Sequence, residues 1–150
     1  MAYWLMKSEP NDYSIDDLEK DGNEPWDGIR NYQVRNMIRD DMKIGDRAFF
    51  YHSSCRVPSV VGIMQIVSKA YPDPTQFDPN AKHYDEKSVV EDPRWLLVNV
   101  AFERKLKRPI TLKELKEHPG LNDFRLNQRG NRLSIFPVSE AHWNLILDFE

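Results

Sequence analysis

An α+β fold, with a curved and mainly antiparallel sheet or a small barrel flanked by helices, is the architecture that this sequence predicts. Three observations carry it. Short apolar runs rich in β-branched and aromatic residues recur along the chain, at 47–52, 60–67 and 95–102. Helix-start signatures fall at separated points among them, at Ser14, Asn31, Thr111 and Ser139. Nothing repeats, and no low-complexity linker divides the 150 residues, so one domain spanning 1–150 is expected.

Taken in order, Tyr3 to Lys7 reads as a strand of large residues that stops at Ser8-Glu9-Pro10, because a proline biases the residue before it to extended backbone. Ser14 with Asp17 is a capping-box pattern opening a helix over Ile15 to Lys20, which Asp21-Gly22-Asn23 ends. Pro25 then delivers the chain to Trp26. Asn31 is placed to cap a second helix, from Tyr32 to Met42, with Val34, Met37, Ile38 and Met42 on one face and Arg35 and Arg39 on another. Ile44-Gly45-Asp46 makes a turn into a strand from Arg47 to His52, and Val60 to Val67 reads as a well-buried strand. Residues 71–94, with four prolines and the aromatics Tyr71, Phe77 and Tyr84, predict a long irregular loop; such loops are disproportionately functional. Trp95 to Phe102 predicts another strand. Thr111 with Glu114 makes a second capping box for a helix that Pro119-Gly120 stops. A final strand is expected from Arg132 to Phe136, and a terminal helix after Ser139.

The bulk numbers exclude several classes of function. One cysteine, Cys55, permits no intrachain disulfide. No apolar run reaches the roughly 18 residues of a membrane helix, and the N-terminal residues lack the basic and apolar regions of a signal peptide. A soluble intracellular protein is expected, cytoplasmic or, in a eukaryote, nuclear. The net charge of −3 argues against coating a polyanion by charge alone. The charge is unevenly spread, though: residues 1–27 hold eight acids and two bases, and the other 123 hold sixteen acids and nineteen bases. One basic face could still meet a nucleic acid.

Metal and nucleophile chemistry find little support. The four histidines are scattered, with no ligand pair at helical spacing, so no metal and no cofactor are expected. His52 and Cys55 share one short segment, but proximity in sequence does not make a catalytic pair, and an ordinary polar strand end explains them better. The richest stretch is 26–36, Trp-Asp-Gly-Ile-Arg-Asn-Tyr-Gln-Val-Arg-Asn, which joins an indole, a carboxylate and two arginines at a helix start. Trp26 lies in a segment without apolar periodicity, so an open ring is expected rather than a core indole. Loop aromatics hold unstacked bases, each contributing about 1–3 kcal/mol. Lys7-Ser8-Glu9 could read the edge of a planar ligand or form a salt-bridged strand end. The acid-free run Arg125 to Arg132 could, with Arg30, Arg35 and Arg39, rim a phosphate-binding surface.

Five segments together resemble the EVE-domain family: YWLMKSEP at 3–10, WDGIRNYQVRN at 26–36, FFYHSSC at 49–55, AYPDPTQFDP at 70–79 and RGNRLSIFPV at 129–138. The resemblance covers essentially the whole chain. It implies a PUA-like fold, related in architecture to the YTH domain, and a non-catalytic reader of a modified nucleobase in DNA or RNA, a modified cytosine or a methylated adenine. The implied base cleft is lined by Lys7, Ser8, Glu9, Trp26, Asp27, Asn31, Tyr32, His52 and Ser53, with Tyr71 or Phe77 as the wall opposite Trp26. Arg30, Arg35, Arg129, Asn131 and Arg132 would hold flanking phosphates. Two other readings remain open at this point. A PUA-like hydrolase or nuclease of the ASCH type would use Lys7 and Glu9 as general acid and base. A protein-interaction module would present residues 71–94 and 105–120. A monomer is expected.

Overall fold

The computed structural model describes residues 1–150. Its elements are β1 (Tyr3–Ser8), α1 (Ile15–Asp21), β2 (Asn23–Pro25), α2 (Tyr32–Asp40), β3 (Arg47–His52), β4 (Ser59–Ile66), β5 (Tyr71–Pro72), β6 (Leu96–Leu97), β7 (Asn99–Thr111), α3 (Leu112–Glu117), β8 (Ile135–Val138) and α4 (Glu140–Leu147). Six strands form one curled sheet in the order β2-β7-β4-β3-β1-β8, and β5 pairs with β6 alone. The mixed α+β class expected from the sequence is the one found.

Every neighbouring pair in the large sheet is antiparallel except β1 with β3, which run parallel at its centre. Strands covered on both faces read as continuous apolar runs rather than as alternations, and these two do. Trp4, Met6, Ala48 and Phe50 face one core with Ile15 and Leu18 of α1 and Val34 and Ile38 of α2. Leu5, Phe49 and Tyr51 face a second core with Leu115, Phe124, Trp143 and Ile146. Register shifts on both flanks of β4, at Phe50/Tyr51, Val60/Gly62 and Ile63/Met64, add the local bend that curls the sheet. Gly62 lets α1 sit down on that bend. A Cβ there would lie 2.5 Å from Cδ1 of Ile15.

The four helix starts are the expected ones. Both capping boxes form, Ser14 with Asp17 and Thr111 with Glu114, and Asn31 and Ser139 accept from the backbone N–H groups of Val34 and His142. Four element boundaries differ from expectation. β2 is too short to leave a periodic signal. The expected strand over 95–102 is broken at Val98 into β6 and β7, and β7 continues to Thr111 through a charged stretch that carries no apolar alternation. The last strand starts at Ile135 rather than Arg132. The 71–94 segment is not wholly irregular, since it holds β5 and a 3-10 turn over Pro74–Phe77.

That segment is organised by two buried polar side chains. Gln76 donates to the carbonyls of Asp73 and Trp95 and accepts from Ser88 Oγ and the Trp95 N–H. Asp73 accepts from the Gly28 N–H, the Arg30 guanidinium and the Thr75 N–H and hydroxyl. Burial pushes its carboxyl up, but those donors outweigh burial and hold it below the usual aspartate range.

Candidate nucleic-acid interface

A cleft of about 420 Å³ opens where β1 ends, beside the segment that leads from β2 to α2. Lys7, Ser8 and Glu9 supply one wall, Trp26 to Ile29 the facing one, and His83 from the long loop and Ser134 before β8 close its ends. The chain brings these together by strand pairing. Lys7 donates its backbone N–H to the Ser134 carbonyl, and Trp26 donates its own to Val98, which locks the end of β2 to the β6–β7 junction.

Trp26 corrects the expectation of an open ring. It is 7% exposed, belongs to the first core and meets Phe50 edge-on at a centroid distance of 5.4 Å. Only part of it lines the cleft. The Trp4 and Trp95 indoles donate to Asp46 and Asp85, whereas those of Trp26 and Trp143 form no hydrogen bond within the protein.

Charge in the cleft is mostly negative. Glu9, Asp12, Glu24 and Asp27 line it with Lys7 as the opposing cation. Burial pushes the Lys7 ammonium down, and its Nζ lies 6.0 Å from the centre of the Phe136 ring. Burial pushes the Asp27 carboxyl up, helped by the nearby charge of Asp73, and burial does the same at Glu24. Perturbed groups of opposite sign in one cleft are a mark of functional sites, though structural networks produce them too. Ser8 donates its hydroxyl proton to the Tyr13 carbonyl at 2.6 Å, so it can offer a ligand only acceptor capacity.

Gly28 fixes the cleft's lip. Its φ is +83°, and a Cβ there would stand 2.8 Å from Nε2 of His83. The imidazole therefore packs directly on backbone. Arg30 holds that loop down from below: Nε and Nη2 donate to the His83 carbonyl, Nη1 to Asp73 and the Ile29 carbonyl, and Nη2 also to Thr75 Oγ1.

Several expected site residues lie elsewhere. Arg30 has committed its donors inside the protein, and Arg35 has committed its own to Asn36 and the Arg94 carbonyl, so neither is a free phosphate ligand here. Asn31 uses its carbonyl oxygen to cap α2. Tyr32 is half exposed but packs against Trp95 with ring centroids 4.7 Å apart and planes tilted by 32°, outside the cleft lining. His52 accepts the Ile15 N–H at the start of α1 through Nε2; burial lowers its pKa, which suits a neutral acceptor. Ser53 donates its N–H to the Ser8 carbonyl behind the cleft. Tyr71, on β5, donates to Asn99 of β7, and neither it nor Phe77 lines the cleft, so neither forms the wall opposite Trp26.

Six lining residues were not anticipated: Asp12, Tyr13, Glu24, Pro25, His83 and Ser134. Tyr13 sits in a short bend and Glu24 in the three-residue β2, neither within a motif. A lone histidine in a polar loop carries no signal of its own, and only the glycine at 28, fifty-odd positions earlier, hints that something approaches the backbone there.

A second concavity of about 380 Å³ adjoins the first along the chain. Arg125, Arg129 and Arg132 line it with Gln33, Gln128, Asn131 and Leu133, and no acid does. None of the three arginines joins an ion pair. Asn131 shapes the turn by donating to the Arg125 carbonyl and accepting the Leu133 N–H. The segment from Arg132 through Leu133 to Ser134 connects this arginine concavity to the cleft beside Lys7.

Known proteins share this fold. The EVE domain model matches residues 2–149. Mouse thymocyte nuclear protein 1 is 44% identical over 99% of this chain and 73% of its own length. A crystal structure of a Pseudomonas syringae protein superposes with a TM-score of 0.95 at 46% identity, covering 99% of both chains. That of human THYN1 protein, in complex with DNA containing 5-methylcytosine, superposes with a TM-score of 0.94 at 42% identity, covering 99% of this chain and 97% of that one. With a family model that spans almost all of its residues, and relatives this similar in both sequence and fold, the chain belongs to the EVE domain family.

Proposed function

We propose that the protein binds DNA and reads a modified base, with 5-methylcytosine the first candidate, by seating an extruded or unpaired base in the cleft at Lys7 and Trp26. The observation that carries this reading is the adjacency of two unlike concavities. One is acidic, lined by Trp26 and sized for a base; the other is lined by three unpaired arginines and no acid. A nucleotide has the same division, a neutral heterocycle joined to an anionic phosphodiester. Phosphate contacts position a strand, while contacts to base edges specify it. Extruding a base costs a few kcal/mol, which hydrogen bonds and apolar contact in a cleft of this size can offset. The relative solved with 5-methylcytosine-containing DNA supports the choice of modification.

Fluorescence anisotropy with labelled single strands and duplexes, each carrying one 5-methylcytosine or one cytosine, tests the reading. The modified strand is expected to bind more tightly, and Lys7→Ala is expected to erase the difference. Arg129→Ala and Arg132→Ala are expected to weaken both strands alike and each to reduce the logarithmic salt slope by about one. Affinity that ignores both the modification and the arginines would sink the proposal. RNA strands of the same sequence form the competing arm.

A further inference from the structure

A third concavity, of about 420 Å³, lies at the same end of the sheet as the cleft. The turn between β3 and β4 supplies Arg56 to Pro58, and the junction of β7 with α3 supplies Lys113, Lys116 and Glu117. The Pro58 carbonyl accepts the Leu112 N–H at 2.9 Å, which fixes the turn to the helix. Arg56, Lys113 and Lys116 are exposed and enter no ion pair. Glu117 is the one acid in the lining, and neighbouring Glu114 is already held by Arg108 and the Thr111 cap. A chain of net charge −3 that sets three unpaired cations around one concavity offers that concavity to an anion.

Strand pairing fixes where this concavity stands. Ser8 at the cleft pairs with His52, His52 with Ser59, and Ser59 with Thr111. Three strand spacings of about 4.8 Å place Thr111 within about 15 Å of Ser8, the length of roughly four nucleotide steps along a duplex. The arginine concavity reaches the cleft from the other side of β1, through Ser134 before β8. Along this sheet end the cleft therefore has a cation cluster on each side. Asn127, between Arg125 and Arg129, donates to the Leu115 carbonyl at 2.9 Å, so the segment that carries one cluster is anchored to the helix that carries the other.

We infer that Arg56, Lys113 and Lys116 form a second phosphate seat, which holds the DNA backbone on the side of the base opposite the arginine concavity. The inference rests on the proposed reading of the cleft as a base site. Extruding a base rotates it about its own backbone, so the phosphates on both flanks must be held for the strand to stay in that shape. One cation cluster anchors a single flank; two clusters with the cleft between them anchor both. Contacts to phosphate position the strand and carry no sequence information, so this seat sets affinity and salt dependence and leaves the choice of base to the cleft.

Duplexes with one 5-methylcytosine at the centre, or close to either end so that one flank is missing, make the test, with anisotropy read across a series of salt concentrations. One triple variant, Arg56→Ala, Lys113→Ala, Lys116→Ala, empties the seat. A charge-matched variant, Lys20→Ala, Lys43→Ala, Lys69→Ala, removes three exposed cations from the other end of the sheet. All six positions are exposed, so both variants are expected to keep their fold, as circular dichroism would report. On the centred duplex the first variant is expected to reduce the logarithmic salt slope by roughly two to three, and the charge-matched one by under about one. Of the end-placed duplexes, the one lacking the flank over this seat is expected to bind the first variant and the wild type alike. A wild-type slope in the first variant, with preference for 5-methylcytosine over cytosine retained, overturns the seat alone. Equal losses on all three duplexes, or in both variants, overturn it too, by reducing the cations to diffuse charge. A wild-type protein that does not tell 5-methylcytosine from cytosine refutes the base reading instead, and with it the seat's place across from the base.

Discussion

Gly28 and His83 set the lip of the cleft between them. The glycine sits at φ +83°, where a side chain costs about 1–2 kcal/mol, and its missing Cβ leaves room for an imidazole nitrogen 2.8 Å from where that atom would be. Gly28→Ala therefore combines backbone strain with a clash. It is expected to lower stability by roughly 2 kcal/mol. Adding His83→Ala should recover the clash but not the strain, so denaturant midpoints across the double-mutant cycle should be non-additive. Residues also show where sequence reasoning stopped. The Asn31 cap was legible because it needs only local spacing. Trp26 was misplaced because its burial depends on Phe50 and on pairing through Val98, both far along the chain. Arg30 resembled a phosphate ligand for the same reason, since its partner Asp73 lies in a different loop.

The long loop is the element on which the cleft depends most, and it is held by side chains rather than by strands. Asp73 is fully buried and its Arg30 partner is 21% exposed, so this ion pair is largely removed from water. Removing one partner of such a pair leaves the other charge buried without compensation. Arg30→Ala is expected to destabilise the loop by roughly 3 kcal/mol. Native-state hydrogen exchange should show faster exchange over residues 73–85 than in the β1–β3 core. His83 should then leave its place over Gly28, and base selectivity should fall before overall affinity does. At this scale the helices were readable because capping is local. The loop's order was hidden because Gln76 and Asp73 look like ordinary loop residues until their partners at 28, 30 and 95 are known.

Across the whole molecule the acid response has a definite sign. Hydrogen bonds from Arg104 hold Glu150 down at about 2, and those from Arg108 do the same for Glu114, while the Arg47 guanidinium lowers Glu103. Each of these groups binds its proton less readily folded than unfolded. Their stabilisation is complete at neutral pH and fades as pH falls through the ordinary glutamate value of 4.5; for Glu150 and Glu114 it is gone near 2. Asp27 and Glu24 have the opposite sign, because their raised carboxyls favour protonation in the folded state. Stability is therefore expected to change little on mild acidification and to drop steeply below the glutamate range. Denaturant titrations of wild type and Arg104→Ala check this: the variant's deficit should be largest at neutral pH and vanish as pH approaches 2. The α+β class could be read from the sequence because strand runs and caps are local. The strand order could not, since nothing local announces that the first strand pairs with the last.

That pairing has a consequence for how the protein is made. β1 is synthesised well before β8, and one of its edges is completed only by that strand. Until β8 has emerged from the ribosome, an apolar segment with unpaired backbone groups waits in solution, the kind of edge that recruits other chains. The cleft cannot exist before then, because Ser134 and the arginine concavity arrive with the same stretch of chain. A nascent or truncated copy would thus be both sticky and blind to its ligand. Binding competence would appear in a single late step of biogenesis rather than growing with chain length.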